Sequence, residues 1–289
     1  MRLLVWLVAL CGRAACSDLS ELLIMAAVKN DASAVSDLLE SGVPAETVSE
    51  AGVTVLMMAA MLGHVEVAKH LLQHGASVNR QDDHGNRPLL HASSRGKTDM
   101  MQLLLADGGA RIDARNHGEH TALMSAAVEG KAGAVRLLIG SGAALDPVDE
   151  DGNAALALAA RRGNFASVKA LLAAGAGLEA RNNEGHTPLM VAASVKHDDD
   201  VAATTHLKAI QLLLDAGANV EATDPKEGTA LIFASAAGSV SLVRRLITHG
   251  ARVDRVDATG MSAMELALRH GHVEVERELR LALDEKEEL

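Results

Sequence analysis

Residues 168–193 read V-K-A-L-L-A-A-G-A-G-L-E-A-R-N-N-E-G-H-T-P-L-M-V-A-A, and their order decides the fold. The apolar pair Leu171-Leu172 leads to Gly175-Ala176, then to a polar turn, then to Thr187-Pro188 and a second apolar run. Glycine tolerates the left-handed backbone that ends a helix. Threonine caps the start of the next one, and proline at the first helical position loses an N–H that had no partner anyway. A helix end, a turn and a helix start therefore follow one another within this stretch.

The same order recurs outward in both directions. Gly-Ala pairs stand at Gly75-Ala76, Gly109-Ala110, Gly142-Ala143, Gly175-Ala176, Gly217-Ala218 and Gly250-Ala251, with Gly42-Val43 before them. Twelve residues after each glycine come Thr54, Arg87, Thr121, Ala154, Thr187, Thr229 and Ser262, and both series step by 33, 34, 33, 33, 42 and 33. Two independent markers holding one offset through seven cycles are not a chance pattern, and a period of this length is the signature of stacked repeats. Each marker opens a short apolar run that a glycine often ends, as at Gly63, Gly96, Gly130, Gly163, Gly238 and Gly271. A second helix follows, with a Leu-Leu pair near its end at Leu71-Leu72, Leu137-Leu138 and Leu171-Leu172.

This pattern resembles the ankyrin repeat, with its T-P-L-H-x-A-A and L-L-x-x-G-A signatures. The resemblance covers roughly Asp18 to Leu283. It implies an all-α repeat solenoid of about eight repeats, each a helix–turn–helix with a projecting β-turn or hairpin tip, in a curved stack. The chain departs from the family pattern at Arg87, which replaces Thr in the one motif that keeps its His (His91), and at Ala154-Ala155, which replaces Thr-Pro. Both changes weaken a cap without changing the fold.

The array is expected over residues 17–283, with terminal repeats acting as caps. Glu21–Ala27 forms the first helix, and the last cycle runs from Ser262 into a charged helix. Two irregularities interrupt the register. One extra residue near Asp107-Gly108 is expected to lengthen a helix end. Nine extra residues within 195–205 are expected to form a surface loop, since loop lengthening costs little, or else a partner-specific contact. Asp198-Asp199-Asp200 in that segment falls short of the six or more oxygens a calcium site needs.

Residues 1–16 stand outside the repeat. Arg2, the apolar run Leu3–Leu10 and the small residues after it read as a secretory signal peptide. The run is too short to span a bilayer, and the alternative is an apolar helix packed on the first repeat. An acidic tail at 284–289 ends in Lys286-Glu287-Glu288-Leu289, which resembles the K-D-E-L retention signal. The two ends together point to the endoplasmic reticulum lumen or secretory pathway, with a cytoplasmic location as the alternative.

Composition narrows the function. Net charge is −11, and the chain has two Phe, one Trp and no Tyr. A negative field and missing stacking rings argue against nucleic-acid binding. Cys11 and Cys16 are the only cysteines, so no disulfide framework or thiolate metal site extends through the repeats. No nucleophile–base set and no phosphate-binding glycine loop is visible, so no catalytic residue, cofactor or metal is expected.

Another protein is the expected partner, bound by a chain that is monomeric on its own and not inserted in a membrane once the signal is removed. In ankyrin-like proteins the binding surface is made by the turn tips and the exposed side of each first helix, along an extended trough. In this register the candidates are Asp83, His84, Asn86 and Arg95; Arg115, His117, His120 and Glu129; Glu150, Asp151, Arg161 and Arg162; and Asn183, Glu184 and His186. Arg95, Arg115, Arg161 and Arg162 are the candidate anchors, because arginine is enriched at binding hot spots. His64, His74, His249 and His272 occupy positions where the family commonly has His. The expected role is a scaffold or adaptor. The alternatives are an inhibitor or chaperone-like cover of a partner enzyme and, more remotely, a metal-dependent hydrolase or metal-binding protein using the His- and Asp-rich turns.

Overall fold

A computed structural model describes residues 16–49, 51–106, 108–196 and 200–287. Residues 1–15 of the expected signal segment, the calcium candidates Asp198 and Asp199, and the last two residues of the tail lie outside the described residues, while Cys16 begins the first helix. The described residues form sixteen α-helices, and no strand longer than an isolated bridge occurs among them. The chain divides into two compact units. One holds the described residues up to Ala126 with Arg136–Ala143, and the other holds Ala127–Val135 with everything from Ala144 onward.

The first unit contains α1 (Cys16–Val28), α2 (Ala32–Glu40), α3 (Val55–Leu62), α4 (Val65–Gln73), α5 (Pro88–Arg95) and α6 (Thr98–Ala106). Helices α7 (Ala122–Val128) and α8 (Ala132–Gly140) contribute residues to both units. First helices stack in sequence, α1 on α3 on α5, and second helices stack beside them, α2 on α4 on α6. Ala59, Ala60, Ala92 and Ala126 are fully buried. A methyl side chain at these contacts lets neighbouring helices approach closely. Leu23, Leu56, Met57, Leu71, Met100, Met101 and Leu104 fill the rest of this core. Full burial of such a side chain stabilises by about 1.5–3 kcal/mol, so the scarcity of aromatics costs the fold little.

The second unit repeats the plan with α9 (Ala155–Arg161), α10 (Phe165–Ala173), α11 (Pro188–Ala193), α12 (Asp200–Asp215), α13 (Ala230–Ala237), α14 (Val240–Thr248), α15 (Ala263–Arg269) and α16 (Val273–Glu287). The first helices α9, α11, α13 and α15 stack in order, α10 packs on α12, and α14 packs on α16.

Helix starts follow the marker residues. The hydroxyls of Thr54, Thr121, Thr187 and Thr229 accept from the backbone N–H three residues on, at 3.1, 3.3, 3.4 and 3.3 Å. Ser262 does the same for Glu265 at 3.2 Å, and the Glu265 carboxylate accepts in return from the Ser262 N–H at 2.7 Å. Arg87 and Ala154 make no side-chain cap bond, as their side chains dictate. The histidines at family positions are also placed. His64 Nδ1 meets the Ala27 carbonyl at 2.8 Å and His272 Nε2 meets that of Ala236 at 3.2 Å, each joining its repeat to the one before. His74 and His249 bond the carbonyls of His70 and Arg245 at their own helix ends, both at 2.8 Å.

Helix α6 runs nine residues to Ala106, as α4 runs nine, and Asp107, where the lengthening was expected, lies outside the described residues. The following turn is wider than its counterpart: the Ala110 N–H bonds the Leu104 carbonyl six residues back, where the Ala76 N–H bonds Leu71 five back. Leu104 is fully buried, and moving it out of register would cost more than a wider turn. The insertion in the sixth cycle is not simply a loop. Helix α12 has sixteen residues and begins seven places before the position at which α4 and α10 begin. The segment Val201–Leu207 holds no Gly or Pro, and extending an existing helix costs far less than nucleating one.

Candidate functional site

The turn between one helix pair and the next is built around a single acceptor. Asp82 is 6% exposed. Its Oδ1 accepts from the backbone N–H groups of His84 at 2.9 Å and Asn86 at 2.8 Å, and its Oδ2 accepts from Asn86 Nδ2 at 3.1 Å and His91 Nε2 at 2.9 Å. An ionised carboxylate only accepts, so His91 carries its hydrogen on Nε2 here. In the same unit Asn116 accepts from the His120 N–H at 2.8 Å. In the second unit Asp149, Asn182, Asp224 and Asp257 each accept two backbone N–H groups, from residues two and four places on. These residues all lie five before the marker and are Asp or Asn in six of seven cycles, with Ser49 the exception. The regular spacing could have revealed this role, but the sequence expectations assigned function only to their neighbours.

Successive tips are joined edge to edge. In the first unit the His117 N–H donates to the His84 carbonyl at 3.0 Å, and Asn116 Nδ2 donates to Asn86 Oδ1 at 2.8 Å. In the second, the Asn183 N–H donates to the Asp151 carbonyl at 3.0 Å, Asn183 Nδ2 to the Glu150 carbonyl at 2.8 Å, and Asn182 Nδ2 to Asn153 Oδ1 at 3.1 Å. This approach demands glycine. A Cβ on Gly85 (φ +77°) would sit 2.7 Å from the His117 nitrogen, and one on Gly152 (φ +81°) would sit 2.6 Å from that of Asn183. The tips therefore present side chains from a stiff backbone.

Electrostatics reinforce this construction. Burial opposes the charge on Asp82, but the hydrogen bonds from Asn86 backbone and side chain, the His91 ring and the His84 backbone outweigh it, and its pKa falls below the ordinary 3.8. Asp257 is lowered chiefly by the Thr259 hydroxyl, against a smaller opposing effect of burial.

Of the fifteen candidate residues, Asp83, His84, Arg95, Arg115, His117, Glu129, Glu150, Asp151, Arg161, Arg162, Asn183 and Glu184 are exposed, and Asn86, His120 and His186 are half-buried. Asn86 spends its amide on Asp82 and Asn116. His186 lies between Glu184 and Asp224, both at 3.2 Å, with the Phe233 ring edge-on at 4.9 Å between centroids. Arg115 pairs with Glu119 at 2.7 Å. Among the described residues, Arg95, Arg161 and Arg162 have no ion pair or side-chain hydrogen bond. In the second unit a recess of about 390 Å³ is lined by Asp151, Asn153, Arg161, Asn182, Asn183, Glu184, His186, Val191 and Ser194. It gathers five of the candidates: Asp151, Arg161, Asn183, Glu184 and His186. Among the described residues no three His, Cys, Asp or Glu side chains converge as metal ligands, and no helix is long and apolar enough to cross a membrane.

The ankyrin repeat profile (three copies per profile) matches residues 23–116, 94–182, 123–203 and 200–284. The chain belongs to the ankyrin repeat family. Its backbone is similar to the human ASB11 ankyrin repeat domain, with a TM-score of 0.70 at 27% identity, covering 80% of this chain and 98% of that domain. It shares 39% identity over 82 residues with the glycerophosphocholine phosphodiesterase gde1 of Schizosaccharomyces pombe, covering 27% of this chain and 7% of that one. It shares 37% over 71 residues with mouse ankyrin repeat domain-containing protein 63, covering 23% of this chain and 18% of that one. The chain thus matches only a small part of either curated relative. Ankyrin repeats form a protein–protein interaction module, and the fold is generally non-catalytic.

Proposed function

We propose that this chain is a non-catalytic scaffold or adaptor that holds a partner protein on the turn tips and first-helix ends of its central repeats. The observation that carries this is the contrast between spent and unspent polar groups. Asp and Asn side chains inside six of the seven turns satisfy the backbone, while Arg95, Arg161 and Arg162 remain exposed and without a partner among the described residues. Unsatisfied guanidinium groups on a stiff frame suit a partner with carboxylates or carbonyls, because little ordering entropy is lost on binding.

Capture of a partner by the full chain, followed by the exchange Arg161→Ala with Arg162→Ala, tests the reading. Binding should weaken while the melting transition stays in place, and unchanged affinity removes these two residues. A photoreactive group at Arg95 asks separately whether the first unit touches the same partner. The alternative of an inhibitory cover requires a partner enzyme whose rate falls on addition of the chain.

The span shared with the phosphodiesterase is a small fraction of that enzyme, so we propose no phosphodiesterase activity here. Hydrolysis of glycerophosphocholine by the purified chain would refute that. The apolar run Leu3–Leu10 and the end Lys286–Leu289 support a further proposal, a place in the secretory pathway. Imaging a tagged chain with and without the last four residues tests it, and cytoplasmic signal in both cases would overturn it.

A further inference from the structure

We propose that the recess in the second unit recognises a protein segment bearing an acidic side chain beside a basic one, the acid pairing with Arg161 and the base with Asp151 and Glu184. This rests on the scaffold reading and specifies the partner's chemistry at one place.

Several polar groups in the recess are already satisfied from within the protein. Asn182 accepts two backbone N–H groups and donates to Asn153. Asn183 donates its amide to the Glu150 carbonyl. Both ring nitrogens of His186 face carboxylates, and the Ser194 hydroxyl donates to the Val191 carbonyl at 2.9 Å. Two charges remain without a partner among the described residues, the Arg161 guanidinium and the Asp151 carboxylate. Among the described residues the Glu184 carboxylate meets only His186, and the side chain stays 75% exposed.

The open valences are therefore of both signs. A simple anion would gain Arg161 but face two carboxylates, and a simple cation would gain the carboxylates but face Arg161. An apolar occupant would strip water from charges and return nothing. A ligand carrying both signs satisfies all three groups, and such complementarity is what selects partners. The groups are also held in place. Asp151 sits in the turn built on Asp149, and its carbonyl carries the Asn183 rung. Arg161 ends α9, whose residues Ala155–Ala160 are all buried. Exposed Glu150 and Arg162 flank the recess without lining it, so the charged surface outruns the cavity and suits a chain longer than the cavity can hold.

The test presents a random displayed-peptide library to the full wild-type chain and to the charge-exchanged variant Asp151→Arg with Arg161→Asp. Wild type should enrich peptides with adjacent opposite charges, and a synthetic peptide from that set should bind about tenfold to a hundredfold more weakly to Arg161→Ala. The exchanged variant should prefer the same peptide with its two charges swapped. Arg161→Lys should keep most of the binding, which separates charge recognition from damage to the fold; melting of every variant is measured alongside. No enrichment, enriched peptides without the charge pair, or one preference shared by wild type and exchanged variant overturns the proposal. Binding of a free Glu-Lys dipeptide as tightly as the selected peptide also overturns it, in favour of a small-molecule site. Crosslinking from Arg95 still reports on the scaffold reading if this proposal fails.

Discussion

Removing the Asp82 carboxylate is the most direct way to ask whether the turn acceptors hold the array together. Asp82→Ala deletes four hydrogen bonds, two to backbone N–H groups and two to side chains. Bonds to a charged group contribute about 1.5–3 kcal/mol each, but the freed groups at this tip regain water and their losses overlap, so a net cost of about 2–4 kcal/mol is expected. Asp82→Asn should cost about 1 kcal/mol, because Asn116 and Asn182 already do the backbone-accepting work elsewhere and only the second oxygen's bonds are lost. The sign with pH follows from the lowered pKa. The ionised form contributes stability above the unfolded aspartate value near 3.8, and that contribution is lost as pH falls through the lower folded value. Urea unfolding followed by circular dichroism, from pH 7 down to pH 2, should show the wild type and Asp82→Ala converging in acid. Equal damage from Ala and Asn, or a gap that persists at the acid end, would refute the reasoning.

Three further outcomes follow from the same geometry. Gly85→Ala should destabilise by about 2 kcal/mol or more, since positive φ and contact with His117 both penalise it, whereas Gly250→Ala meets nothing within 4 Å and should cost about 1 kcal/mol; paired thermal melts check this. Ala154→Thr should stabilise by about 0.5–1 kcal/mol by restoring the cap present at the other threonine markers, measured as a raised urea midpoint with unchanged slope. Leu171→Ala, at a fully buried site, should cost about 2–5 kcal/mol and spread protection loss into the neighbouring repeats on hydrogen exchange.

Much of this architecture was legible in the residues alone. Local rules specify where each helix begins and ends: Thr187 caps, Pro188 fits the first position, and Gly175 turns the chain, whatever surrounds them. A fixed offset between two markers then implies stacking, because a single helix pair cannot bury its own apolar side. The register also placed candidates at turn tips and first-helix ends, and twelve of the fifteen are exposed.

Tertiary structure decided what those tip residues have left to offer. Asn86 and His186 look like Asp83 and Glu184 in sequence, yet they are spent on Asp82, Asn116 and Asp224, contacts made across the turn or with a neighbouring repeat. The added residues of the sixth cycle, by contrast, continue α12 for a local reason, the lack of Gly or Pro in Val201–Leu207. Local conformation follows from nearest neighbours in the chain, and so it can be read in order. Whether Asn86 and His186 have anything left to offer depends also on Asn116 and Asp224, 30 and 38 residues away and brought near only when the repeats stack.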